Sequence, residues 1–107
     1  MTPTQRFLQA RDFLLQHRLD YDTAYRDYRQ PRFDTFNWGL DYFDQMARDN
    51  LLPALWVVEE DGSEQKISFA DMASRSCQVA EYLQLCGVKR GDRVLLMLPN
   101  RVELWEI

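Results

Sequence analysis

The chain has 107 residues, 46% of them hydrophobic and 28% charged, with 13 basic and 17 acidic side chains and a formal net charge of −4. That size allows one small domain or part of a larger one, and the mildly acidic balance argues against a dedicated nucleic-acid binder. No uncharged apolar run, Val94 to Leu98 included, approaches the roughly 20 residues a membrane-spanning helix needs.

The N-terminus holds no apolar run of signal-peptide type, because Arg6, Arg11 and Asp12 interrupt it. It is amphipathic and carries arginines, as a mitochondrial presequence would, but Asp12, Asp20 and the dense apolar patterning count against that reading. Pro3 and Thr4 can open a helix that runs through His17. Phe7, Ala10 and Leu14 form its apolar stripe, with Leu8 and Leu15 beside them. His17, the only histidine, has the position of a helix-end residue and no neighbour suited to a dyad or a metal cage. From Leu19 to Thr35, Tyr21, Tyr25, Tyr28 and Phe33 alternate with Arg26, Arg29 and Arg32. Such interleaving can stack on single-stranded nucleic acid, yet Asp20, Asp22, Asp27 and Asp34 neutralise it here. The segment reads instead as aromatic rings laid on a larger body, with a short helix before Pro31.

Asn37 is placed to cap a second helix, Trp38 to Asp49, with Phe36, Leu40, Phe43 and Ala47 on one face and Met46 alongside. Asp41 suits its first turn and Asn50 its end. Ala54 to Glu59 reads as a strand, Glu60-Asp61-Gly62-Ser63 as a turn, and Glu64 to Phe69 as the returning antiparallel partner. Ser68 then caps the longest helix, with Asp71 three residues on. Its stripe is Phe69, Met72, Ala73, Ser76, Val79, Ala80, Leu83 and Cys86, and Gly87 ends it. After the turn Lys89-Arg90-Gly91-Asp92, the run VLLML (Val94 to Leu98) has the composition of a parallel strand covered on both faces. Pro99 and Asn100 close it. Arg101 to Ile107 begins another helix, with Val102, Leu104 and Trp105 on its apolar side. Ile67–Phe69, helix and Val94–Leu98 therefore predict a right-handed β-α-β crossover. The expected architecture is α/β, with residues 1–50 a leading helical segment and residues 51–107 the start of an α/β core.

Few residues invite a chemical role. Gly87 and Gly91 flank Lys89 and Arg90, but a phosphate-cradling loop follows a strand and opens a helix, and here the order is reversed. Neither GxGxxG nor GxxxxGK[ST] occurs. Glu59, Glu60, Asp61, Asp41 and Asp44 lie on a turn and a helix face, without the paired perturbation that acid–base work requires. Cys77 and Cys86 are nine residues apart on one helix, hence on opposite faces and roughly 13 Å apart, too far to pair. They read as free, buried or half-buried small hydrophobes of a reducing, cytoplasmic compartment. No catalytic, cofactor-binding or metal-binding residue is assigned.

Four stretches together resemble the beginning of the N-terminal domain of AMP-forming acyl-CoA synthetases, the adenylate-forming ligases, and within them the medium-chain and acetyl- or aryl-CoA type. They are FNWGLDYFD (Phe36 to Asp44), ALWVVEEDGSE (Ala54 to Glu64), ISFADMASRSCQVAEYL (Ile67 to Leu83) and GVKRGDRVLLMLPNRVELWE (Gly87 to Glu106). Ser68 to Met72 is similar to the family's first core motif, normally Ser-Tyr/Phe-x-Glu-Leu. Asp71 and Met72 depart from it conservatively, and Cys77 stands where Asn is usual. The resemblance implies a longer parent that uses ATP and Mg²⁺ to turn a carboxylic acid into an acyl-adenylate and pyrophosphate, then coenzyme A to release AMP and form the thioester. The family's phosphate loop, its Tyr-Gly-x-Thr-Glu segment, its ribose-binding Asp and its catalytic Lys lie downstream of the part resembled. Its first core motif is structural, so no ligand role transfers to any residue here.

The expectation is thus a structural, inactive piece of an acyl-CoA ligase that binds neither ATP nor CoA and has the rest of the parent chain as its partner. The alternative is a stand-alone α/β interaction module without catalysis. Either way, apolar surface at Val94–Leu98 and Trp105 should favour self-association.

Overall fold

Thr2 sets the first element. Its hydroxyl accepts the Gln5 amide at 3.2 Å, and the Gln5 side chain accepts the Thr2 amide at 2.8 Å, a reciprocal cap on helix α1 (Pro3–Gln16). Pro3 needs no hydrogen-bond acceptor at the first helical position. A computed structural model describes all residues, 1–107. It holds five α-helices, one π-helical stretch and one two-stranded antiparallel sheet, a mixed α/β piece as the sequence predicts. Contacts divide it into two units, Met1–Tyr42 and Phe43–Ile107.

The leading unit is held by rings. Phe7 lies 5.4 Å from Phe36 and 4.8 Å from Tyr42, and Phe33 lies 4.5 Å from Phe36, all centroid to centroid. Arg11 donates to the Tyr42 hydroxyl at 2.9 Å. The inward face of α1 is therefore rotated from the predicted stripe. Arg11 and Phe13 are half-buried while Leu14 and Leu15 are exposed, because the partners that cover α1 are aromatic and lie over its Phe7–Arg11 side.

Helix α2 (Tyr21–Asp27) is the short helix expected before Pro31. Asp20 caps it by accepting the Thr23 amide at 3.1 Å. Hydrogen bonding from Thr23 holds the Asp20 carboxyl below the ordinary carboxylate range, and the Arg26 guanidinium does the same for Asp27. A carboxyl with a depressed folded-state pKa stabilises above its unfolded value and loses that contribution as pH falls through the folded one. Carbon chemical shifts of residues 21–27 are accordingly expected to move toward coil values between about pH 5 and pH 2. Shifts that stay helical throughout would refute the cap's role.

Asn37 caps the next segment as predicted. Its side chain accepts the Leu40 amide at 3.0 Å, and its own amide donates to Asp41 at 2.7 Å. The helix expected over 38–49 is not continuous. Gly39–Phe43 is π-helical and only Asp44–Ala47 (α3) is α-helical. A π turn takes in one extra residue. It lets Tyr42 join the aromatic rings of the leading unit while Phe43 and Ala47 turn into the second, where Ala47 is 0% exposed. Asp49, at φ 54°, ends the helical course, and the Asn50 side chain donates back to the Met46 carbonyl at 3.3 Å.

In the second unit β1 (Pro53–Val58) and β2 (Glu64–Ser68) form the predicted hairpin, with Leu55 opposite Ile67, Trp56 opposite Lys66 and Val57 opposite Gln65. Gly62, at φ 85°, supplies the left-handed residue of the turn. Alternation puts Leu55, Val57 and Ile67 inward, and Trp56 and Lys66 outward with the ammonium 4.2 Å above the indole ring. Ser68 caps α4 (Phe69–Leu85) by accepting the Asp71 amide at 3.0 Å.

Ile67, Met72 and Val102 form the buried cluster, at 4%, 6% and 5% exposure, with Phe43, Ala54, Leu55 and Val57 packed around it. The α4 stripe is covered along its first half, whereas Ala80 and Cys86 are exposed because no element packs over that end. Helix α5 (Val102–Glu106) brings Val102 into the cluster.

The predicted crossover is built only through its first strand and its helix. Val94–Leu98 makes no ladder, and all five residues are exposed. A strand is stabilised by rungs to a neighbour. Here β1 and β2 pair with each other, and neither pairs with a third strand.

Candidate functional site

The glycine and basic turn is built to redirect the chain. Gly87, at φ 86°, ends α4 in a Schellman arrangement: the Val88 amide donates to the Leu83 carbonyl at 3.1 Å and the Gly87 amide to Gln84 at 3.0 Å. The Asp92 amide then donates to the Lys89 carbonyl at 3.0 Å, while the Asp92 carboxylate accepts the Lys89 amide at 2.7 Å. A carboxylate already occupies the N–H that an incoming phosphate would need. The turn also follows a helix C-terminus, the negative end of the dipole. Both features disfavour an anion, and the segment serves as a connector.

The carboxylates flagged by the sequence remain apart. Glu59, Glu60 and Asp61 are exposed on the hairpin turn, and hydrogen bonding from Ser63 holds the Asp61 carboxyl below its ordinary range. A general acid at neutral pH needs the opposite shift. Asp41 is engaged by the Asn37 amide. No three His, Cys, Asp or Glu side chains stand close enough to hold a metal ion. His17 lies at the end of α1 with its ring 4.5 Å from Phe13.

Cys77 and Cys86 are unpaired, as their spacing predicts, but both are exposed, which corrects their expected burial. The nearby Cys86 thiol holds the Tyr82 phenol's pKa above its ordinary range.

One feature escaped sequence reasoning. Arg75 on α4 donates to Glu106 on α5 at 2.9 Å, with the Glu106 side chain only 14% exposed. This pair floors a shallow groove of about 430 Å³ shared with Gln78, Val79, Tyr82 and Glu103. The partners are 31 residues apart, so no local spacing could have revealed them. The pair fastens α5 to α4 and places Val102 in the core.

Hairpin, capped helix and connector turn thus make a scaffold whose residues hold one another. Residues 43–107, more than half of the chain, match the family of AMP-binding enzymes. The chain belongs to that family. The match begins at Phe43, where the second unit also begins. Among curated proteins the chain is similar to the human acyl-coenzyme A synthetase ACSM1, mitochondrial, with 36% identity over 86 residues, 76% of this chain and 15% of that protein. It is also similar to human acyl-coenzyme A synthetase ACSM3, mitochondrial (31% over 93 residues; 80% and 16%), and to rat acyl-coenzyme A synthetase ACSM4, mitochondrial (36% over 96 residues; 83% and 17%). The chain spans about one sixth of the length of these curated relatives. No solved structure matches it. No helix is long and apolar enough to cross a membrane.

Proposed function

We propose that this chain is the opening part of an AMP-forming acyl-CoA ligase, which converts a carboxylic acid, ATP and CoA to acyl-CoA, AMP and pyrophosphate. The carrying observation is the AMP-binding family match over residues 43–107 together with relatives named acyl-coenzyme A synthetases. Within that enzyme, ATP, Mg²⁺ and CoA are handled by residues outside these 107, and the present residues build and brace the scaffold. The carboxylate already seated in the Lys89–Asp92 turn supports this division of labour. The exposed, unpaired thiols support a reducing compartment, and we retain the cytoplasm as the proposed location, although the relatives are named mitochondrial.

Isothermal titration of the 107-residue chain with ATP and with CoA is expected to show no saturable heat. Binding of ATP at micromolar affinity would overturn the proposed inactivity. Expression of the whole reading frame that contains these residues is expected to give carboxylate-dependent release of AMP and formation of a CoA thioester. A reading frame that stops after Ile107 would overturn the ligase reading and favour the interaction module.

A further inference from the structure

We propose that Asp61–Gly62 is a self-modifying site, at which the chain converts its own aspartyl link to isoaspartate once the hairpin turn opens. Asp61 is the only Asp or Asn in the chain that Gly follows; each of the others precedes a residue whose side chain crowds the attacking nitrogen. At Gly62 even the space a Cβ would take is open, with nothing within 4 Å. The Gly62 nitrogen attacks Asp61 Cγ and forms a five-membered succinimide, and the amide proton and the carboxyl hydroxyl leave together as water. Water then adds back to the ring. Cleavage of the new N–Cγ bond restores aspartate. Cleavage between that nitrogen and the Asp61 main-chain carbonyl leaves the backbone running through Cγ, with a free α-carboxylate. The sequence of steps consumes no oxidant or other co-reactant. It needs no partner surface and is independent of the ligase reading.

The closed turn withholds both reacting groups. The Gly62 amide donates to the Glu59 carbonyl at 3.0 Å, so the proton that ring closure must release is held. The Asp61 carboxylate accepts the Ser63 amide at 2.9 Å, and hydrogen bonding from Ser63 keeps this carboxyl below its ordinary range. Ring closure requires the protonated carboxyl, whose hydroxyl can leave, so the bond to Ser63 favours the unreactive form. The Glu59 amide closes the turn by donating to the Ser63 carbonyl at 2.9 Å. These bonds lie among exposed residues, where local opening costs less than unfolding of the unit. The product backbone is one carbon longer between Asp61 and Gly62. Both bonds from Glu59 span that link, so the turn that sets Leu55 opposite Ile67 is lost with them.

The test is to age the chain at neutral pH and physiological temperature, in buffer and across a urea series. Isoaspartate is read by enzymatic methylation of its α-carboxylate with an isoaspartyl carboxyl methyltransferase, and placed by peptide mapping. The methyl label is expected at residue 61. It should accumulate at least about fivefold more slowly in buffer than in concentrated urea, the factor that two ordinary net hydrogen bonds set. The rate should begin to rise at urea concentrations that leave the far-UV signal of α4 intact, because the turn opens before the unit does. Asp61→Glu, which would need a six-membered ring, should lose the label. An unfolded chain that stays unlabelled at residue 61 would overturn the proposal, as would label concentrated at another Asp or Asn or retained in Asp61→Glu. So would equal rates in buffer and in urea, or a rate that rises only with the loss of the α4 signal.

Discussion

Replacing Ile67 by aspartate is expected to abolish the cooperative unfolding transition of residues 43–107. Ile67 is 4% exposed and belongs to a buried cluster of three, with Met72 and Val102. No charged or polar side chain is buried with it to offset a carboxylate. Placing an unpaired ionisable group in such a site costs about 4 kcal/mol or more, or forces the group to take up a proton. A unit of this size has a total stability of order 3–10 kcal/mol by the usual per-residue scale. The cost is therefore comparable to everything that holds the unit together. Circular dichroism should show loss of the α4 signal and a melt without a sigmoidal step. A wild-type melting curve would show that the cluster is not the core.

Met72→Ala should cost about 2–4 kcal/mol, near the range measured for truncating buried long aliphatic side chains. The residue is buried with Ile67 and Val102, among Phe43, Ala54, Leu55 and Val57, so its side chain has little room to relax. Leu85→Ala is the internal control. It sits on the same helix at 87% exposure, and its truncation should change stability by less than about 0.5 kcal/mol. Urea midpoints of the two variants, compared with the parent at equal slope, measure the difference. Equal losses at the two positions would mean that α4 is stabilised by helix propensity rather than by packing of one face.

Local chemistry was legible in the sequence wherever a residue's partner lies within a few positions. Asn37 and Ser68 cap the helices next to them, and Gly62 and Gly87 stand at the left-handed positions that their turns need. The features that escaped depend on residues far apart in the chain. The inward face of α1 was misplaced toward Leu14, because the rings of Tyr28, Phe36 and Tyr42 that choose it come from distant segments. The strand at Val94–Leu98 was inferred from composition alone, and composition does not supply the neighbour that a strand requires. The Arg75–Glu106 pair links two elements whose docking no spacing encodes. For the candidate site, the sequence carried family membership through the series of stretches from Phe36 to Glu106, but no residue to which a ligand role could be attached.

The π turn at Gly39–Phe43 acts as a phase shifter. A regular helix would deal successive side chains to fixed directions, and Phe36, Leu40, Phe43 and Ala47 would have stayed on a single side. By winding one residue more, the backbone resets that rotation between Tyr42 and Phe43, and neighbours in sequence serve separate interiors. In genetic terms, the loss of a single codon in this stretch would do more than shorten a helix. It would reassign every later side chain of the helix to the wrong clientele.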